Sequence, residues 1–561
     1  MTADLARWNQ DIQSGDPRRV ANAAKAFADH QAEPDTEYTF TIYDKWWRKD
    51  GDPQADIMEA SGTDPRNNLP SAVMKLKGGS KHVPKLMNCR STLVGLTVET
   101  GGMRFAYYVK SHDWDYKDGA WTSTSSCPGI WDVLNYLQIW PMWFMPIQAQ
   151  PISHAIFVGP LVTVIENMIS ECALRIQSGL WEFVNNALSL NPDLRAWFGT
   201  LLQSNGNIFE MLKTPIYVVR TNPFLDTSPL VAKTVRMESC ATIIRELTTP
   251  YGVDVRVDLW LPGDEQPDRW ANLTQPTYVV TVKDRSQIVG PTKTVLDSVI
   301  RTVVDLGGSL GDIFNPIIKQ AQGMQGVYVA PMLGVDLVSP YAIVVAPDPG
   351  EDSAIVSCKI SDHTPEGWRW IVGGKSPKWL NDLINATMSW LIDSLMIVIG
   401  FTGVPSNILD GFLNDAFFAF QLIDHYTRRD EVGPYHPAME RFAATQSAPY
   451  NIEAFMAFIN AFFESRGYTS AIVTIRNGPN HQYTLGRDIF RGGLMSLVYM
   501  GRTRMLTDYI ENVMWRLTKS ERELTIQIGD GKAEEPPLAK HQRTLQGIQE
   551  SINVISLAPN S

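Results

Sequence analysis

The C-terminal block decides the fold: YTSAIVTIRNG (468–478), YTLGRDIFRGGLMSLVYMGRTRMLTDYIENVMW (483–515) and LTIQIGDGKAEEPPLAKH (524–541) follow one another closely. Alternating apolar and polar residues in 468–478 and 524–528 predict strands, and the glycine-rich segments between them are typical of turns. The apolar spacing over 505–517 predicts one amphipathic helix, and a last helix is predicted over about 538–552. Arg487 and Arg491 flank predicted turns, where they either reach a neighbouring subunit's carboxylates or are solvated.

Upstream, strand-like and helical patterns alternate along the chain. Residues 3–30 predict a helix, and 38–47, 72–78, 92–99 and 103–116 show the period-two alternation of strands, with Thr100-Gly101-Gly102 as a hairpin turn. Helices are predicted over much of 128–213. Strands and helices mix over 215–375, and helices return over 377–465, with 410–431 as the most regular piece.

These patterns predict an α+β, multi-domain fold with barrel-like β domains and large helical insertions. At 561 residues the chain is too long for one core. The predicted parts are a helical segment (1–35), a first β domain (36–126), a helical insertion (127–214), a mixed region with second barrel-like strands (215–375), an apolar helical region (376–470) and a C-terminal β block with a helix (471–561).

Charge and cysteine usage exclude several classes of protein. The net charge is −11, and the basic residues are scattered without a stripe that could grip a phosphate backbone, which disfavours tight nucleic-acid binding. The five cysteines are more than thirty residues apart, so we expect neither a zinc site nor a disulfide framework. The first residues lack the apolar region of a signal peptide, so none is expected.

None of the candidate catalytic motifs has the sequence that its chemistry requires. Gly373-Gly374-Lys375-Ser376 lacks the upstream glycine of a phosphate-binding loop and is followed by Pro377, and 307–311 is interpreted as a helix C-cap and turn. His112, between strand residues and beside Asp113 and Asp115, is typical of a solvated strand edge, because no second histidine lies at ligand spacing. We therefore predict no catalytic, cofactor-binding or metal-binding residues, although two of the 60 acidic residues could still converge as in a glycosidase.

The longest charge-free apolar segment is SLMIVIGFTGVPSNIL (394–409). It is shorter than the ~20 residues of a transmembrane helix and is broken by glycines and a proline, so a buried helical hairpin is one interpretation. The other is an apolar plug that closes a channel or contacts a membrane late, formed by Leu395, Met396, Ile397, Val398, Ile399 and Phe401.

The strings FLNDAFFAFQLIDHYTRR, RGYTSAIVTIRNG, YTLGRDIFRGG, YMGRTRMLTDYIENVMWR and QIGDGKAEEPPLAKH, within 414–559, resemble the tail hub (baseplate hub, or minor tail) proteins of long-tailed phages that infect actinobacteria such as mycobacteria. A weaker resemblance extends over 113–160. It implies a structural virion protein at the tail tip, made in the host cytoplasm, that is not an enzyme and needs no cofactor.

The resemblance further implies a homotrimer with two barrel-like domains per chain around a channel. Its implied partners are the distal tail protein and tail tube, the tape-measure protein, and other minor tail or receptor-binding proteins, with double-stranded DNA passing without specific binding. We assign the barrels to 36–125 with later strands, and to strands of 215–375 together with 471–530. Trp140, Trp143 and Phe144 are expected between subunits. A cell-wall hydrolase and a receptor-binding tail protein are the alternatives.

Overall fold

A computed structural model describes residues 9–28, 37–144, 147, 150, 152–177, 215–249, 251–309, 317–321, 324, 327–351, 353–373, 422–424, 426–444, 465–476 and 483–529. These residues form an α+β structure that is mostly β-sheet with a few helices, which confirms the predicted fold class. The predicted division into six parts stays a prediction.

The helices are α1 Pro17–Ala28, α2 Val83–Met87, α3 Val133–Tyr136, α4 Leu161–Gln177, α5 Cys240–Thr248, α6 Val295–Ser309 and α7 Tyr426–Val432. The strands up to the middle of the chain are β1 Thr39–Tyr43, β2 Lys49–Gly51, β3 Ile57–Pro65, β4 Ser71–Lys77, β5 Gly95–Thr100, β6 Met103–Tyr108, β7 Ser111–Lys117, β8 Ala120–Pro128, β9 Ala155–Pro160, β10 Ile216–Val218, β11 Leu230–Val235, β12 Val253–Trp260 and β13 Thr277–Asp284.

The later strands are β14 Ile288–Val289, β15 Lys319–Gln320, β16 Tyr328–Val329, β17 Asp336–Leu337, β18 Ala342–Val345, β19 Ile355–His363, β20 Arg369–Gly373, β21 Leu422–Asp424, β22 Glu440–Ala444, β23 Tyr468–Arg476, β24 Leu494–Tyr499, β25 Arg504–Thr518 and β26 Arg522–Ile528.

The C-terminal strands form the centre of a 10-stranded sheet with the order β19-β23-β26-β25-β3-β4-β8-β7, to which β24 and β18 attach through β25. The four-stranded sheet β2-β1-β5-β6 shares one buried core with it, in which Phe40 and Tyr38 pack against Trp515. Because β25 pairs with β3, the C-terminal block continues the first β domain. Strands β18 and β19 of 215–375 pair with β24 and β23, as we assigned. They do so in the same sheet as the first β domain, so the pairing does not separate a second barrel from it.

A second core lies under the sheet β10-β13-β12 and the pair β9-β11. Helices α4 and α5 bury Ile165, Met168 and Ile244 against strand residues such as Val255 and Val280. The mixture of strands and helices predicted over 215–375 is confirmed here by β10, β11, β12 and β13 and by α5, which ends at Thr248. The strand β9 was not predicted.

The predicted helix over 505–517 is wrong, because this segment is the long strand β25. A register shift between Ile510 and Asn512 moves the alternation of side chains by one residue. Leu506 and Ile510 are therefore buried before the irregularity, and Val513 and Trp515 after it. This change of phase produces three- and four-residue apolar spacings that imitate a helix.

Of the other local predictions, some are confirmed and some are wrong. The hairpin turn is confirmed between β5 and β6, where Gly101 and Gly102 take positive φ angles of 58° and 75°. Gly307 and Gly308 lie inside α6 rather than in a C-cap. The regular helix predicted over 410–431 is confirmed only at its end, where α7 begins at Tyr426, since Leu422–Asp424 is a strand that pairs with β20. The last helix, 538–552, lies outside the described residues.

Candidate functional site

Several of the residues singled out from the sequence lie outside the described ranges. The apolar segment with Leu395, Met396, Ile397, Val398, Ile399 and Phe401 lies outside the described residues, as do Gly374, Lys375 and Ser376. Within the described ranges, no group of three or more His, Cys, Asp or Glu side chains is placed to hold a metal ion. No helix in this part of the chain is long and apolar enough to cross a membrane.

His112 lies on β7, the outermost strand of the large sheet, which confirms the strand-edge interpretation. Its Nδ1 is 2.9 Å from the hydroxyl of Ser125, and its Nε2 is 3.3 Å from the hydroxyl of Ser123. Burial lowers the pKa of His112, and the nearby Asp113 carboxylate opposes this shift. The neutral ring therefore links β7 to two serines of β8 and has no acid–base partner of catalytic type.

The hairpin β7–β8 exposes a cluster of large aromatic side chains. All of β7 except His112 is exposed. The rings of Trp114 and Trp121 stack with centroids 3.9 Å apart, and the Tyr116 ring lies 5.1 Å from that of Trp121. The indole N–H of Trp114 donates to the carbonyl of Gly78, 3.2 Å away, which orients the cluster. Exposed aromatic clusters of this kind mark contact surfaces between proteins.

The large sheet is open at both ends. β7 and β19 end its main strand order, and neither has a second partner strand in the described part of the chain, whereas β18, which pairs only with β24, ends the branch through β25. Unpaired strand edges present a row of N–H and C=O groups that can pair with another chain. β7 carries the acidic Asp113 and Asp115, whereas β19 carries Lys359 together with Asp362. Two different open edges are suited to a head-to-tail contact, the type that closes into rings.

An ionic joint, formed by Arg491, Asp64, Asp254 and Arg285, connects the two cores. Arg491 Nη1 donates to Asp64 Oδ1 at 2.7 Å, and its Nε lies 3.5 Å from Asp254 Oδ1. Arg285 Nε lies 3.6 Å from the other oxygen of Asp254. Arg491, Asp64 and Asp254 are 5%, 8% and 1% exposed. The joint therefore ties β3 to β12 through charges that are removed from water.

In this joint, burial and the neighbouring charges shift the pKa values of the side chains in opposite directions. Burial raises the pKa of Asp64, and the guanidinium of Arg491 opposes the shift. The pKa of Arg491 is raised because Asp64 and Asp254 favour its charged form more than burial disfavours it. Beside the joint lies a cavity of about 30 Å³, which has room for one or two water molecules.

Asn67 braces the same boundary through its side-chain amide. It donates to Thr248 Oγ1 at 2.9 Å and to the Val253 carbonyl at 2.7 Å, and it accepts from Val255 N at 2.8 Å. Its φ of 47° is the left-handed conformation that asparagine tolerates better than most residues. The first β domain and the second core are thus joined by both charges and hydrogen bonds.

Sequence reasoning placed Arg491 at a surface or subunit contact, and this interpretation is wrong. Arg491 is buried and paired within the chain, whereas Arg487 is half-exposed and pairs with its neighbour Asp488. Of the three expected contact residues, Trp143 and Phe144 pack edge-to-face on each other, and Trp140 lies under Arg175. Whether these three aromatics lie between subunits stays a prediction.

A family model built for the siphovirus ReqiPepy6 Gp37-like protein matches residues 39–530 of the chain. The chain belongs to this family. The match spans both cores, the hairpin β7–β8 and the ionic joint. This identifies a siphovirus protein and agrees with the phage resemblance, whereas an actinobacterial host stays a prediction. No curated protein sequence matches the chain.

Several solved structures of tail proteins are similar to this member of the family. A tail protein from Neisseria meningitidis MC58 is 7% identical, with a TM-score of 0.38 over 88% of this chain and 97% of that one. The 43 kDa tail protein of prophage MuSo2 from Shewanella oneidensis is 10% identical, with a TM-score of 0.37 over 89% and 99%. Prophage tail protein gp18 from Listeria monocytogenes is 10% identical, with a TM-score of 0.34 over 91% and 99%.

Proposed function

We propose that this siphovirus protein is a structural, non-enzymatic component of the virion tail. More specifically, we propose that it is the hub at the distal end of the tail tube. Membership of a siphovirus family over 39–530 and the resemblance of the C-terminal strings to tail hub proteins support the proposal. The single observation that carries the assembly role is the sheet with two open edges, one of which bears exposed stacked tryptophans.

In this proposal three copies form a ring around a channel. The ring joins the distal tail protein and tail tube to the tip and receptor-binding proteins, and it lets the tape-measure protein and DNA pass. A net charge of −11 fits a channel wall that does not retain DNA. The segment 395–401 is proposed to lie near the axis, as a closure that later contacts the membrane.

The mass of the purified full chain tests this assembly. We expect light scattering to give a trimer over a range of concentrations, and negative-stain electron microscopy to show a ring with a central hole. A monomer at every concentration would count against self-assembly. If that monomer also cleared host cell walls in zymography, the hydrolase alternative would replace the hub.

A substitution tests whether the hairpin makes the subunit contact. Trp121→Ser removes the ring that touches both Trp114 and Tyr116, and it leaves the buried cores intact because Trp121 is exposed. We expect the concentration needed for trimer formation to rise at least ~10-fold, since a central aromatic contact contributes about 1.4 kcal/mol or more. Trp270→Ser is the matched control, because Trp270 is also exposed but lies on a loop. Equal trimer formation by both variants would remove the hairpin from the contact.

A further inference from the structure

Two of the five cysteines touch each other inside the second core. Cys172 lies on α4, and Cys240 is the first residue of α5. Their sulfur atoms are 3.7 Å apart, with the thiol of Cys240 donating to Cys172, and the residues are 2% and 0% exposed. A separation of 68 positions in sequence concealed this contact.

The surroundings of the pair favour a thiolate at Cys172. Arg175, one turn further along α4, interacts with the Cys172 sulfur and is held over the Trp140 ring, 4.0 Å from its centroid. The hydrogen bond from Cys240 and the charge of Arg175 lower the pKa of Cys172 against burial. The pKa of Cys240 is raised because its thiol proton is hydrogen-bonded to the Cys172 sulfur and because Cys240 is buried. The thiolate is the nucleophilic form of cysteine, so the two thiols are chemically unequal.

We propose that Cys172 and Cys240 form a redox-active pair, which hydrogen peroxide converts into a disulfide between α4 and α5. The Cys172 thiolate attacks one peroxide oxygen and breaks the O–O bond, which gives a sulfenic acid at Cys172 and, after protonation, water. The Cys240 sulfur then attacks the sulfenic sulfur, loses its proton and displaces hydroxide, which leaves as a second water. Two thiols are oxidised, one peroxide is reduced and two waters form.

Because both sulfurs are buried, the peroxide reaches them when the second core opens locally, and the bond then needs only a small adjustment of their positions. A disulfide has an S–S distance of about 2.05 Å, so the sulfurs must approach by about 1.7 Å. Cys172 also donates to the Gln138 carbonyl at 3.3 Å, a contact that it gives up on losing its proton. Among the described residues, the other three cysteines, Cys89, Cys127 and Cys358, form no sulfur–sulfur hydrogen bond of this kind, although burial and the nearby Cys89 raise the pKa of Cys127.

The bond would close the chain from 172 to 240 into a covalent loop. Cross-links over long loops stabilise a fold mainly by restricting the unfolded chain. The oxidised protein should therefore unfold at a temperature roughly 2–4 °C or more above that of the reduced protein. The proposal does not depend on the assembly role, because it concerns thiols of the isolated chain.

The test treats the purified full chain with one equivalent of hydrogen peroxide and counts its free thiols. We expect the number to fall from five to three in the wild type and to stay at four in Cys172→Ser. In Cys240→Ala it should fall only from four to three, because the sulfenic acid at Cys172 has no second thiol to attack it. Cys358→Ala is the matched control, and its count should fall from four to two. Five remaining thiols in the wild type, or equal losses in the Cys172→Ser variant, would overturn the proposal.

Peptide mapping identifies the bond itself. Trypsin leaves Cys127 and Cys172 in one peptide, because no Lys or Arg lies between Lys117 and Arg175. Cleavage after glutamate separates them at Glu166 and Glu171. A linked peptide pair containing Cys172 and Cys240, lost on reduction, is the expected result. Links from Cys240 to any other cysteine would contradict the assigned pair even if the melting temperature rises.

Discussion

Replacing Arg491 with methionine would remove the positive charge that lies between two buried carboxylates. Asp64 would lose a hydrogen bond of 2.7 Å and its direct charge partner, whereas Asp254 would keep Arg285 at 3.6 Å. Methionine has a length and flexibility that let it occupy much of the same space. The substitution therefore tests the charge of the joint more than its packing.

The expected loss of stability depends on how the Asp64 carboxylate responds to the loss of Arg491. Breaking a buried ion pair costs about 3–5 kcal/mol. Asp64 can limit this loss by taking up a proton, which from an ordinary pKa of about 3.9 costs about 4 kcal/mol at pH 7. We therefore expect Arg491→Met to lower the free energy of unfolding by about 3–4 kcal/mol at pH 7.

The pH dependence gives this prediction a distinctive sign. Loss of Arg491 raises the pKa of Asp64 in the folded state further above its unfolded value, so the folded variant binds a proton more tightly. The variant should consequently gain stability relative to the wild type as the pH falls. The deficit should shrink by about 1.4 kcal/mol per unit between pH 7 and pH 5.

Urea titrations followed by tryptophan fluorescence at pH 7 and pH 5 measure both quantities. Arg487→Met is the matched control, because Arg487 lies four residues away, is half-exposed and pairs with Asp488. We expect it to change stability by less than about 1 kcal/mol. A deficit for Arg491→Met below about 1 kcal/mol, or one that does not change with pH, would refute the assignment of a charged, buried joint.

Two further substitutions probe the cores. In the same urea titrations, Gly62→Ala should lower the free energy of unfolding by about 1–3 kcal/mol, because a Cβ there would lie 2.5 Å from ring atoms of Trp515. Gly79→Ala, which has open space around the new Cβ, should be nearly neutral. Burial raises the pKa of Glu171 to about 7, so wild-type stability should fall as the pH rises from 4.5 through 7. Glu171→Gln should remove this dependence and be more stable by about 1–2 kcal/mol at pH 8, after allowance for solvent screening, whereas equal pH profiles would contradict the shift.

Local patterns predicted those elements whose burial follows a simple period. The strands β1, β4, β5 and β6 bury alternate or consecutive apolar residues, and the glycines of the β5–β6 turn have the backbone freedom that such a turn requires. The same reasoning wrongly predicted a helix at β25, because the irregularity of this strand at 510–512 changes which residues face the core. A period can be read from sequence only where the strand keeps it.

The joint could not be predicted, because its members come from distant parts of the chain. Asp64 and Arg491 are 427 residues apart, and each stands in a segment where a charged residue would ordinarily be solvated. Asp254 begins an alternation with Arg256 and Asp258 that is typical of an exposed strand face. In the folded chain β12 packs against β6, and Asp254 pairs with Arg285 and Arg491. Contacts across such distances leave no signal in one sequence.

The buried charges also bear on the proposed assembly. An apolar joint of similar volume could be as stable as an ionic one, so stability alone does not account for three charges removed from water. Charged partners must meet with defined geometry, whereas apolar surfaces can slide. If the joint fixes the orientation of the second core on the large sheet, then the position of that core relative to the sheet's open edges is the same in every copy. A ring of identical subunits requires that consistency, because each contact must repeat the same rotation for the ring to close.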